Sequence, residues 1–463
     1  MLLNLFFIVA DMLYEILAFC GERRNMPNNI KVSIIMPSLN VANYIEQAIE
    51  SVVNQTLKDI EIICVDAGSE DGTLDIIKRM AQSDARIRLL MSDKKSYGYQ
   101  MNIGVKAAVG DYIGIVETDD FVKSNMYETL YAVASENGLD FVKADYEKFW
   151  WSEDNSIYVH TAPKSDAYNC LLTDANRSDL FRYSSLNWTG IYRREYLIEN
   201  DIWHSETPGA SYQDIGFWLQ NMSFAKRAMW IPQAFYMYRQ DNPASSMKSR
   251  GKMCCSLEEY RRVLTILKER GCDVAYRECL MLKHMDYRVT FNRIDDSLKR
   301  EYIEIILSEY SIDKTELASY ELTDYEFATL KWVEDVLTDA DKAYNEVSLT
   351  GEAVRCRLDE CSRVFLYGAG QVAKRCFEHL YAAGYWDKVA AVIVSSENDQ
   401  EKFFDRDVKL LDKLVANDSL VETDLIILGL GIKNQEEINI RLFDLGLDNI
   451  MSASELDSLV YVI

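Results

Sequence analysis

Short apolar runs and helix-spaced stretches alternate along the first third of the chain. VSIIMP (32–37), EIICVD (61–66), RIRLLM (86–91), DYIGIV (111–116) and LDFVKA (139–144) are rich in β-branched residues and read as strands. Between them, NYIEQAIESVVNQ, GTLDIIKRMAQ, YGYQMNIGVKAAV and SNMYETLYAVASEN carry apolar positions at helical spacing. This alternation predicts an α/β domain, a mainly parallel sheet with helices on both faces. Such sheets bind ligands beyond the carboxyl ends of their strands. That places Pro37 to Asn40, Asp66 to Asp71 and Glu117 to Asp120 along one rim.

The pattern then changes. Residues 146–250 are rich in Trp and Tyr and less regular, with a helix predicted over 213–227. Residues 256–350 read mostly helical, as in LEEYRRVLTILKERG and KREYIEIILSEYS. From 363 a second β/α series runs through RVFLYGAG, VAAVIVSS, DLIILGLG and NIMSAS. The expected organisation is an extension over 1–30, an α/β domain over 31–250, a helical connector over 251–357 and a small α/β domain over 358–463. In MLLNLFFIVADMLYEILAFC, Asp11 and Glu15 interrupt the apolar run, and neither a basic n-region nor a cleavage site is present. Asn4, Asp11 and Glu15 share one helical face, so an amphipathic helix on protein or on a membrane surface is one reading. A start at Met26 is the other.

A net charge of -24 and a pI near 4.7 argue against a nucleic-acid or anionic-membrane surface as the natural partner. An acidic protein that handles an anionic substrate needs a cation or a few placed basic groups. The ten cysteines are scattered, with no CxxC pair and no zinc-like spacing, which suits reduced thiols in a cytosol. A cytoplasmic protein, at most peripheral at the inner membrane, is expected.

DYIGIVETDDF (111–121) ends an apolar run in Glu117, Asp119 and Asp120. A surface loop tolerates such acids as solvated charge, whereas a metal or phosphate site requires them. The ordered set VSIIMPSLNVANYIEQAIESVVNQTLKDIEIICVDAGSEDGT, NIGVKAAVGDYIGIVETDD, PGASYQDIGFW and YRQDNPASS resembles the family 2 glycosyltransferases with the GT-A fold, over roughly residues 31–250. The resemblance implies a nucleotide-diphospho-sugar transferase fold, inversion at the anomeric carbon and Mn²⁺ or Mg²⁺ bound at a DxD-type motif. It implies Asp119 as metal ligand, with Glu117 where the family usually has an Asp near the ribose. Pro37, Ser38 and Asn40 would line the nucleotide pocket, Asp66 would read the base, and Asn102 with Gly104 would match a helix beneath the donor. Asp214 would be the general base, with Gln213 in place of the family's Glu.

Each assignment has a plainer competitor. Asp66 sits in DAGSEDGT, a turn sequence, and Asn40 is a good helix cap. Trp188 and Trp218 stack on an acceptor sugar or fill the core. Arg239 reaches the diphosphate or stays solvated at a strand edge. His204 completes a metal shell or serves only as structure. Ser211 to Asp214 fits a capping box in which Asp214 reaches back to the Ser211 amide.

The C-terminal GAGQVA (368–373) follows an apolar strand and resembles the fingerprint of small Rossmann-like modules. Ser395 and Ser396 stand where an NAD site wants an acid, so the motif reads as close helix–strand packing before it reads as a cofactor site. The expected function is transfer of a sugar from a nucleotide-sugar donor, a UDP-sugar, to a saccharide or lipid-linked acceptor in bacterial surface polysaccharide assembly. Without membrane spans or a QxxRW-type motif, single-sugar transfer is favoured. A sugar-phosphate nucleotidyltransferase would want a Gly-rich, Arg-containing loop after the first strand, and MPSLNVANYI has none. A redox or binding protein led by the C-terminal module is the remaining alternative.

Overall fold

A computed structural model describes residues 29–457 except 151–154, 160–166, 174–175, 182–185, 244–250, 318–329, 332, 337, 339–350, 352, 397–400, 418, 422 and 431. The segment of the expected N-terminal helix and about a quarter of the expected connector lie outside the described residues. The chain forms two compact units, one reaching Ser249 and resuming over Cys254–Leu282, the other taking Arg250–Met253 and Lys283–Ile463. No helix among the described residues is long and apolar enough to cross a membrane.

The first unit is built on a nine-stranded sheet. Strands β1 (Val32–Ser38), β2 (Ile60–Asp66), β3 (Ile87–Met91) and β4 (Tyr112–Ile115) form its parallel half, in the order β3-β2-β1-β4. Every residue of β1 and β2 is buried, as expected of parallel strands covered on both faces. Helices α1 (Ile45–Val53), α3 (Tyr97–Ala107) and α4 (Met126–Asn137) lie within the stretches that helical spacing marked out, and α2 (Thr73–Ser83) runs one residue past its own. The short strand β5 (Phe121–Val122) follows the acidic motif.

The aromatic-rich region supplies an antiparallel and mixed half: β6 (Phe141–Trp150), β7 (Asn155–Val159), β8 (Gly190–Arg193) and β9 (Ala228–Arg239). β8 joins β4 and β6 antiparallel, β9 runs parallel to β6, and β5 pairs antiparallel with β9. Short helices α5 (Arg177–Phe181) and α6 (Arg194–Glu199) precede α7 (Gln213–Phe224). Helix α8 (Cys255–Glu269) packs on α7 so closely that a Cβ at Gly216 would lie 1.9 Å from Glu259 Oε2. The first unit therefore extends past the expected boundary at 250.

In the second unit, helix α9 (Asp273–Arg293), which begins in the first, and α10 (Asp296–Leu317) precede a six-stranded sheet of β10 (Val364–Tyr367), β11 (Val389–Val394), β12 (Lys402–Phe403), β13 (Arg406–Leu410), β14 (Leu425–Leu428) and β15 (Ile450–Ser452). Its order, β12-β13-β11-β10-β14-β15, puts the first strand in the middle, the doubly wound arrangement. Helices α11 (Gln371–Ala382), α12 (Leu411–Ala416) and α13 (Ile432–Asp444) connect the strands, and α14 (Ala453–Asp457) follows them. The last residue of the Gly-rich motif takes part in a close helix–strand approach, a Cβ at Gly429 after β14 lying 2.8 Å from Ala373 Cα, while a Cβ at Gly370 would meet nothing within 4 Å. Ser395, at the position an NAD site would fill with an acid, pairs its hydroxyl with Tyr367 at 2.7 Å.

Inside the parallel half, Glu61 is buried on β2. Ser33 Oγ and the Val109 amide donate to Oε1 at 2.6 and 2.7 Å, and Arg88 Nη1 donates to Oε2 at 2.7 Å. Removing one partner of a buried ion pair strands the other charge. Glu61→Ala should lower the unfolding free energy of this protein by about 3 kcal/mol in a denaturant titration.

Candidate active site

The rim of the parallel half is laced together by its own side chains. Asp66, at the end of β2, accepts from Gly68 N and Ser69 N through Oδ1 at 2.9 and 2.8 Å, and from Ser38 and Ser69 hydroxyls through Oδ2 at 2.7 Å each. A carboxylate offers about four lone-pair directions, and all are taken. Asp66 is also fully buried, so the expected base contact gives way to a turn-building role. Asn40, with φ 55, donates its amide to Ser69 Oγ at 2.8 Å and accepts from Glu70 N through Oδ1 at 2.9 Å, tying the β1 loop to the β2 loop. The Pro37 carbonyl accepts from Thr118 Oγ1 at 2.8 Å, which anchors the acidic motif to the same rim.

In that motif the side chains divide by face. Asp120 is buried and accepts from Tyr236 OH at 2.9 Å and Arg239 N at 2.7 Å. Glu117 and Asp119 are half-buried. Tyr97 OH donates to Glu117 Oε1 at 2.7 Å, and Asn242 Nδ2 donates to Asp119 Oδ2 at 2.8 Å. Burial pushes the Glu117 carboxyl up to about 8; the Tyr97 hydrogen bond opposes this, and the charges of Asp119 and Asp214 add to it. Arg239 is buried, not solvated. It donates Nε to the Asp119 carbonyl at 2.8 Å and Nη2 to Gln47 Oε1 at 2.6 Å, so it fastens the motif.

Asp214 comes to the site on the first turn of α7. The capping box does not form. Tyr212, in the left-handed region at φ 66, is the N-cap, and Asp214 Oδ1 accepts from Ile215 N at 3.0 Å. Gln213 takes the Ser211 amide instead, through Oε1 at 2.5 Å, while its Nε2 donates to Thr207 Oγ1 and the Gly209 carbonyl, both at 3.0 Å. A Glu could not make those donations. The amide at 213 thus folds the loop that leads to Asp214. Burial raises the Asp214 carboxyl to about 6; the backbone donors at its helix end and the Lys143 charge lower it, and Glu259 raises it.

That loop is stitched to α3. Tyr97 N donates to the Gly209 carbonyl at 3.0 Å, and Gly209 N to the Lys95 carbonyl at 2.8 Å. Asn102 clamps His204, its Oδ1 accepting from His204 N at 3.1 Å and its Nδ2 donating to the His204 carbonyl at 3.0 Å. A Cβ at Gly98 would lie 1.7 Å from the Ser205 carbonyl oxygen. His204 stacks on Phe217 at 4.1 Å, and its Nε2 meets Asn187 Nδ2 at 3.1 Å. Burial lowers its titration to about 3, so the ring is neutral and structural. Asn187 Nδ2 also donates to Tyr97 OH at 2.9 Å, closing a chain from His204 to Glu117.

Residues 33–201 match the family model "Glycosyl transferase family 2". An uncharacterised glycosyltransferase of Bacillus subtilis, EpsJ, is 35% identical over 46% of this chain and 62% of its own length. The uncharacterised glycosyltransferase YibD of Escherichia coli is 30% identical over 49% of this chain and 66% of its own length. The chain therefore spans a little under two thirds of each relative. Residues 33–201 belong to glycosyl transferase family 2. The crystal structure of S. aureus TarS 1-349 in complex with UDP-GlcNAc, 18% identical with a TM-score of 0.47 over 67% of this chain and 92% of that one, is too distant to add to this.

For a family 2 domain, the two tryptophans stand apart from the expectation. Trp218 is core. It meets Phe141 and Trp230 edge-on, its ring lies 4.0 Å from Lys143 Nζ, and 2% exposure leaves no face for a sugar. Trp188 is buried and stacks on Tyr236 at 4.1 Å. Among the described residues, no three His, Cys, Asp or Glu side chains form a ready metal cage. Asp119 and Glu117 nonetheless suit a hard divalent cation: both offer oxygen, and the neighbouring charges of Asp119 and Asp214, which add to the burial that raises Glu117, are what a cation relieves. Tyr97, Asn187, Asn242 and Gln100, whose Nε2 bridges the Ser38 and Val65 carbonyls, were not legible as site builders. Only Gly98, a glycine within helical spacing, hinted at a close approach.

Gly98→Ala should force α3 from the Ser205 carbonyl. A stability loss of about 1–3 kcal/mol is expected, together with slower donor turnover, read by denaturant unfolding and by nucleotide release.

Proposed function

We propose that this protein is an inverting, metal-dependent glycosyltransferase that moves a sugar from a nucleotide-sugar donor, a UDP-sugar, to a saccharide or lipid-linked saccharide acceptor in bacterial surface polysaccharide assembly. The observation that carries the reading is the convergence of two acidic groups from separate elements. Tyr97 holds Glu117 through its hydroxyl and the Asp214 loop through its backbone amide. The family match and the printed names of the relatives support the reaction class.

Asp119, with Glu117 beside it, would hold Mn²⁺ or Mg²⁺. When bound, the cation supplies charge that neutralises the donor diphosphate and eases its departure. Asn242 and Arg239 fix Asp119 from its side chain and its carbonyl. Ser38 and Asn40 hold the nucleotide-facing loop in shape. Asp214 accepts the proton of the attacking hydroxyl as the sugar–diphosphate bond breaks.

Hydrolysis of a panel of nucleotide sugars, with and without Mn²⁺, tests the class. Asp119→Ala, or excess EDTA on wild type, should abolish turnover with the fold intact; full transfer in EDTA would remove the metal role. Asp214→Asn keeps shape and should slow transfer by roughly 10²- to 10⁴-fold. Since the ionised carboxylate is the active form, the wild-type rate should fall as pH drops through about 6. Transfer by Asp214→Asn within a few-fold of wild type would show that the base lies elsewhere.

A further inference from the structure

Three tyrosines stand about the acidic motif, and two of them commit their hydroxyls to it. Tyr97 OH donates to Glu117 Oε1 at 2.7 Å and accepts from Asn187 Nδ2 at 2.9 Å. Tyr236 OH donates to Asp120 Oδ2 at 2.9 Å and accepts from Glu117 N at 3.0 Å. The third is Tyr238, two residues further along β9 and so on the same face of the strand. Its hydroxyl has no hydrogen-bond partner among the described residues.

The ring that carries this hydroxyl is held on several sides. It is half-buried, 5.1 Å from the Trp188 ring at 43° and 6.4 Å from the Tyr146 ring at 62°. Trp188 also stacks on Tyr236 at 4.1 Å, so the indole ties the two tyrosines of β9 together. The next residue in the strand fixes the backbone: Arg239 N donates to Asp120 Oδ1 at 2.7 Å, and Arg239 Nε to the Asp119 carbonyl at 2.8 Å. Tyr238 therefore sits about 6.6 Å along the strand from a tyrosine that touches the motif. Burial raises its titration, and the charges of Asp120 and Asp119, then Tyr146 and Asp214, add to this, so it stays a neutral hydroxyl.

We propose that Tyr238 reads the donor sugar, its hydroxyl bonding an oxygen of the hexosyl unit being transferred, which makes it a specificity-determining residue. It stands in the fields of Asp119, at the diphosphate end of the proposed reaction, and of Asp214, at the base end. The transferred sugar is what lies between those ends. Ionised carboxylates only accept hydrogen bonds, whereas a sugar hydroxyl both donates and accepts. A phenol beside them supplies the donor that the acids lack. Trp188 and Tyr146 keep that donor in one place, so little side-chain freedom is lost when a sugar binds. Packing alone would be served as well by phenylalanine. The inference rests on the glycosyltransferase reading and deepens it by naming a contact to the sugar rather than to the nucleotide.

The test is calorimetric titration of the full-length protein, in Mn²⁺, with UDP and with UDP-sugars. The sugars are UDP-glucose, UDP-galactose and their N-acetylamino counterparts, and the one that wild type binds most tightly is carried forward. Tyr238→Phe keeps the ring and should melt like wild type, because the hydroxyl has no partner in the protein. It should bind UDP as wild type does and the UDP-sugar about 3- to 10-fold more weakly. Equal affinity of the two proteins for the UDP-sugar overturns the inference. So does an equal weakening for UDP, which would put the hydroxyl on the nucleotide. A Tyr238→Phe protein that melts well below wild type makes the hydroxyl structural and overturns it too. The two readings fail separately. Wild type that binds neither UDP nor any UDP-sugar overturns the glycosyltransferase reading, and this inference with it. Wild type that binds one, matched by Tyr238→Phe, overturns this inference alone.

Discussion

The site is governed by the burial of carboxylates: loss of water is what chiefly pushes Glu117 and Asp214 up, and the charges of Asp119 and Asp214 add to it at Glu117. Left alone, such groups take up protons or move apart. The surrounding structure prevents the second. Tyr97, Asn242, Arg239 and the stitched loop before α7 each hold one acid or its backbone in place. The strain of crowding is thereby converted into affinity for whatever carries positive charge into the cleft.

The parallel half of the first unit could be read from the sequence because its strands are short, doubly covered and separated by helices of clear period. The mixed half could be read only in part. LDFVKA marked the start of β6, but the rest of β6 and β9 mix aromatic, charged and small residues with no single period. The hairpin of β12 and β13 was missed for a related reason: its burial alternates weakly over few residues.

At the site, sequence patterns found the right loops more often than the right atoms. The acidic run, the first two strand-end loops and the helix bearing Asp214 all meet at one rim. Which atoms remain available there depends on hydrogen bonds between residues distant in the chain, and these leave no local signature. Asp66 looks like a ligand reader until Ser38 and Ser69 are seen to fill it. Gln213 looks like a lost acid until its amide is seen folding the loop from inside. Lys143 attracted no notice, because a lysine in a strand is normally solvated.

Gly98 sets a mechanical limit. With its α-carbon seated against the Ser205 carbonyl, and with Asn102 gripping both sides of His204, α3 and the segment leading to Asp214 form a single wall. That wall has no seam at which to hinge. Motion that admits a substrate must then be borne elsewhere, since the same stretch is tied again at Gly209, whose carbonyl and amide pair with Tyr97 and Lys95. A cleft built this way adjusts at its lip while its floor keeps its dimensions.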